Sequence, residues 1–146
     1  MPQSSFIMYD EEYNEITAAV EKLLVEANAK CVYLVDKDGQ LITASGETRD
    51  IDATSLASLT AGNIAATGGL AKLIGEKEFS ILFHEGERDN LHISVVGQRV
   101  ILVVIFDKRS SLGLVRLRAK KASDELGRTI QKLLVRMEGG AEQESL

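Results

Sequence analysis

The chain reads as one α/β domain, a five-stranded, mostly antiparallel sheet between helices in the order α-β-β-α-β-β-β-α. Three observations predict it. Its 146 residues suffice for a single domain with a real core. Apolar positions alternate between helical steps of three and four and short β-branched runs. Two of those runs, residues 31–35 and 100–106, are apolar at nearly every position. A sheet with one face in water would alternate, so both faces are covered and helices must lie on both sides.

Each element follows in order. Tyr13, Ile16, Val20, Leu23, Leu24 and Ala27 recur at helical steps and mark an amphipathic first helix from about Asp10, with Asn28 as a left-handed stop. Residues 30–36 (KCVYLVD) form a strand, the Asp36-Lys37-Asp38-Gly39 turn reverses the chain, and residues 40–45 return as a second strand. Asp50 or Asp52 caps a helix that starts near Ala53, continues to about Ile74 and is closed by Gly75. Residues 79–84, 91–96 and 100–106 then form a meander, its last turn made by Gly97-Gln98. A final helix spans about residues 110–137, with Ser110 or Ser111 as cap. Val115, Ala119, Ala122, Leu126, Ile130, Leu133 and Met137 lie on its apolar stripe. The domain is expected over residues 8–137, with a flexible, polar C-terminal tail over 138–146 that contains Gly139-Gly140.

The middle helix is unusual. From Ala53 to Ala71, ATSLASLTAGNIAATGGLA, nineteen residues pass without a charge. A solvent-facing helix normally carries Lys, Glu or Arg on its outer side, so this one is expected to be covered twice. It is long enough for a membrane span but too rich in Thr, Ser, Asn and Gly to insert. On a helical wheel Leu56, Leu59, Leu70, Leu73 and Ile74 fall within about 100° and are expected to face the sheet. The opposite side collects Ala57, Ala61, Ile64, Ala65 and Gly68, with Gly69 at its flank and Lys72 at its end. Gly68 and Gly69 each cost a helix roughly 1 kcal/mol relative to Ala, which close approach of another backbone would offset. That small face is the candidate partner-binding surface. The alternative is a second layer within the chain, such as the last helix lying over it.

Composition excludes several functions. A net charge of -5 argues against a nucleic-acid partner. Charge is unevenly spread, with an acidic first helix and nine Lys or Arg over residues 108–136. These helices either lie side by side or offer a basic docking face. Cys31, the one cysteine, reads as a small core residue. The start has no basic segment followed by an apolar one, so a cytoplasmic protein is expected. Gly62 to Gly69 with Lys72 lacks the GxxxxGK[ST] spacing of a phosphate loop. His84 and His92 on neighbouring strands read as solvent-facing residues with no third metal ligand. No cofactor, metal or catalytic residue is assigned.

The runs VDKDGQLI, DATSLASLTAGNIAATGGLAKLIGE and ILVVIFDKRSSLGLVRLRAKKASDEL, in this order of elements, resemble the roadblock/dynein light chain family. Within it the last two are most similar to the MglB-type regulators of bacterial cell polarity and gliding motility. The resemblance covers about residues 8–134. It implies a homodimer whose sheets join edge to edge, with the two central helices adjacent on one face. It further implies that a small Ras-like GTPase of MglA type sits on that helix pair, where GTP hydrolysis is accelerated, in the cytoplasm and concentrated at a cell pole. On matching positions Ala61, Ile64, Ala65, Gly68, Gly69 and Lys72 would lie at or near the partner. Such regulators are thought to rearrange the GTPase rather than insert an arginine finger. Arg49, Arg116 and Arg118 are the candidates for a finger, against the reading that all three are solvated and remote from phosphate. Relatives with longer tails use them to affect nucleotide exchange. This chain ends nine residues after Met137, so that second activity is not assigned.

Overall fold

A computed structural model describes residues 9–145. The expected domain start at residue 8 and the last residue of the tail lie outside the described residues. The elements are α1 (Asp10–Glu26), β1 (Cys31–Asp36), β2 (Leu41–Gly46), α2 (Ala53–Leu73), β3 (Ile81–Glu85), β4 (Asn90–Val96), β5 (Val100–Phe106) and α3 (Leu112–Ser145). This is the expected order. The sheet runs β2-β1-β5-β4-β3, and every neighbouring pair is antiparallel.

The two continuously apolar strands, β1 and β5, lie side by side and are buried throughout. Alternate residues serve two cores. Val32, Leu34, Leu102 and Val104 meet Ile16, Val20 and Leu23 of α1 and Val115, Leu126 and Ile130 of α3. Tyr33, Val35, Ile101 and Val103 face Ala57 and Ile64 of α2. The helices thus cover both faces, as continuous apolarity requires.

Local signals act where expected. Asn28 has φ 51° and ends α1. Gly39 has φ +93°, which places the β1–β2 turn so close to α2 that an added Cβ would meet Ser58 Cα at 3.4 Å. Gly97 and Gln98 both take positive φ, as a two-residue hairpin demands. Asp52 is the cap of α2, its Oδ1 accepting from the Thr54 and Ser55 N–H groups. Ser111 Oγ accepts from the Leu114 N–H at the start of α3.

The oppositely charged helices lie antiparallel and pair with each other. Glu12 meets Arg136 at 2.7 Å, Glu15 meets Lys132 at 2.9 Å, Lys22 meets Glu125 at 3.3 Å and Glu26 meets Arg118 at 4.0 Å. Most are exposed and each contributes about 0–1 kcal/mol, so they set register more than stability. Glu12 is the exception, 2% exposed beneath Arg136, whose guanidinium also covers the Tyr9 ring at 4.0 Å.

One boundary differs. α3 continues as helix through Gly139 and Gly140 to Ser145, where the sequence reading ends the helix near Met137. Two glycines cost roughly 1 kcal/mol each but do not by themselves stop a helix that is already propagating.

Candidate partner-binding surface

α2 is turned by about a third of a turn relative to the wheel-based expectation, which puts most of its large residues outside. The residues turned to the sheet are Ala57 (1% exposed), Thr60, Ile64 (6%) and Ala71 (0%), with Ala61 and Leu56 partly buried beside them. The large residues expected there are outside: Leu59 is 73% exposed, Leu73 82%, and Leu70 and Ile74 are also exposed. The reason is steric. The sheet already offers Tyr33, Ile93, Ile101, Val103 and Ile105, and small helix residues let α2 settle onto that bulky surface. A wheel distinguishes two faces but does not say which is inward.

The seven candidate residues therefore divide. Ala57 and Ile64 are core, and Ala61 packs against the same core. Gly68 is half-buried, while Ala65, Gly69 and Lys72 are exposed. The glycines are not explained by packing within the chain, since a Cβ added at Gly62, Gly68 or Gly69 would meet nothing within 4 Å. Leu59, Leu70, Leu73 and Ile74 were missed as surface residues. Their signal was the absence of charge on both sides of the helix, which leaves an outer face as apolar as the inner one.

The sheet edges next to this face differ. β2 is interrupted by a register shift opposite Leu34 and Val35, the kind of irregularity that discourages further pairing. β3 pairs regularly with β4 over all five residues, and its other side is open. Ile81 (48%) and Phe83 (39%) are exposed on that strand. His84 points to the α2 side, where its Nε2 lies 3.1 Å from the Asn63 side-chain amide. The α2 face and the open β3 edge thus meet where His84 reaches Asn63, while Ile81 and Phe83 lie on the opposite, α3 side of the sheet.

The other candidates fall elsewhere. Arg116 and Arg118 belong to α3, across the sheet from α2, and Arg118 is paired with Glu26. Arg49 is exposed in the loop before α2. His84 and His92 cannot share a metal. His84 is opposite Leu91 and faces α2, whereas His92 is opposite Phe83 and Val104 and faces α3. His92 is buried, not solvent-facing. No group of three metal-ligating side chains occurs among the described residues, and no described helix is long and apolar enough to cross a membrane. Cys31 is fully buried, its thiol pushed up to about 11 by burial.

A single antiparallel sheet with the paired α1 and α3 on one face and α2, whose one charge is Lys72, on the other defines a roadblock-type module. Residues 15–106 match the Roadblock/LC7 domain, and the chain belongs to that family. It is similar to MglB of Myxococcus xanthus, at 63% identity and TM-score 0.83, over 87% of this chain and 96% of that one. It is also similar to the gliding protein MglB of Thermus thermophilus, at 34% identity and TM-score 0.83, over 90% and 99% of the two chains. A further MglB structure, described as having a tetrameric arrangement, matches at 32% identity and TM-score 0.85, over 90% and 99%.

Proposed function

We propose that this protein is a homodimeric GTPase-activating regulator of a small Ras-like GTPase of MglA type, acting in bacterial cell polarity and gliding motility. The observation that carries the reading is the apolar outer face of α2, with Leu59, Leu70 and Leu73 exposed, beside the open edge of β3. Two copies pairing β3 to β3 would extend the sheet and set two α2 helices next to each other. The platform then offers apolar side chains and glycines, with Lys72 as its charge within α2.

Such a surface favours one conformation of a bound GTPase by binding it better than the other. It supplies no nucleophile or general base, and two of the three candidate arginines lie on the far side of the sheet. The GTPase's own residues would therefore perform phosphoryl transfer, aligned by the platform rather than assisted by an arginine finger. The competing reading is a non-catalytic scaffold that binds a GTPase or adaptor without changing hydrolysis. Single-turnover GTP hydrolysis by an MglA-type GTPase, with and without saturating protein, separates them. Acceleration supports activation, and an unchanged rate with retained binding leaves only the scaffold.

A further inference from the structure

His92 is a buried ionisable group that the partner surface does not use. It lies in the middle of β4, opposite Phe83 of the edge strand and Val104 of β5, on the α3 side of the sheet. It is 1% exposed. Neither ring nitrogen has a hydrogen-bond partner among the described residues, and neither does Ser94 Oγ, two positions along on the same face. The Phe83 and Phe106 rings stack at 6.2 Å across β4 beside it. A neutral imidazole carries one donor and one acceptor, so both are left unanswered in an apolar setting.

Protonation would add a second N–H and a full charge at a ring whose nitrogens have no hydrogen-bond partner among the described residues. From α3 the facing charged group is Arg116, a cation. From β5 the neighbours are Val104 and Phe106. From β3 they are Phe83 and, one pair further along on the same face, the exposed Glu85. Burial depresses the His92 pKa first and the Arg116 charge depresses it further.

We propose that His92 is a proton-operated latch. Neutral, it lets α3 and the edge strand β3 close over β4; protonated, it opens that corner and loosens the β3 edge. Its effect on assembly rests on the reading of β3 as the homodimer seam. The sign follows from linkage. The closed form binds the proton less readily than the open form, where the imidazole titrates near its ordinary value of about 6.5. Closure is therefore at full strength above that value and weakens as pH falls below it, because burial and Arg116 hold the closed-state pKa lower. Opening should become about tenfold more populated between pH 7.5 and pH 5.5.

Hydrogen exchange of the full chain, corrected for the intrinsic pH dependence of exchange, reads this directly over residues 81–96 and 112–120. The wild type should lose about tenfold in protection from pH 7.5 to pH 5.5. His92→Leu and His92→Phe should lose none, and His84→Gln should keep the wild-type loss. A flat wild type, or equal losses in both His92 variants, overturns the latch. If those variants do not fold, an NMR titration of the wild-type imidazoles decides. A His92 ring that protonates near pH 6.5 without loss of protection overturns it, and a ring still neutral at pH 5.5 in a wild type that has lost protection supports it. Sedimentation at the same two pH values should show a shift toward monomer at pH 5.5. A protein already monomeric at pH 7.5 overturns the seam alone and leaves exchange to judge His92.

Discussion

Ala57 and Leu59 are two positions apart on α2 and face opposite ways, so they test its orientation. Ala57→Leu adds three heavy atoms where the helix meets the sheet, at a position 1% exposed and touching the same core as Tyr33 and Ile101. Overpacking of this kind costs about 1–3 kcal/mol. For a domain of this size that lowers Tm by roughly 3–12 °C. Leu59 is 73% exposed, so truncation to Ala removes only a small covered fraction of a side chain whose full burial is worth about 1.5–3 kcal/mol. The loss, roughly 0.5 kcal/mol, is partly offset by the better helix propensity of Ala. Urea or thermal unfolding at several protein concentrations makes the comparison. A Leu59→Ala cost of 2 kcal/mol or more that does not vary with concentration would refute this orientation of α2. A concentration-dependent cost would instead place Leu59 in an interface between copies.

Ala65→Arg and Gly69→Arg, both at exposed positions with room at Gly69 for a side chain, should abolish GTPase binding in a pull-down while changing stability by no more than about 0.5 kcal/mol. Unfolding of either variant would mean that the outer face is core. Arg49→Ala should leave the activated single-turnover rate within a few-fold of normal; a loss on the order of a thousandfold is what removal of an arginine finger produces. Cys31, buried and with its thiol raised to about 11, should resist iodoacetamide at pH 8 in the native protein and react once urea unfolds it. Rapid native labelling, followed by mass spectrometry, would contradict its place in the core.

The sequence by itself determined the number, kind and order of elements, because each depends on neighbours only a few residues away. Asn28, Gly39 and the Gly97-Gln98 pair impose backbone conformations locally, and Asp52 caps α2 through its own next residues. The unbroken apolarity of residues 31–35 and 100–106 likewise required helices on both faces. The pairing of α1 with α3 remained one of two readings until complementary charges were brought within reach. Only tertiary structure decided which side of α2 is inward. That choice depends on the shape of the sheet beneath it, and the bulk of Tyr33, Ile93 and Ile101 favours Ala57 and Ala71 over leucines. It also separated His84 from His92. A one-residue difference in strand register puts the first beside Asn63 on the α2 face and buries the second under α3. Periodicity is a property of one element, but burial belongs to two surfaces that must fit each other.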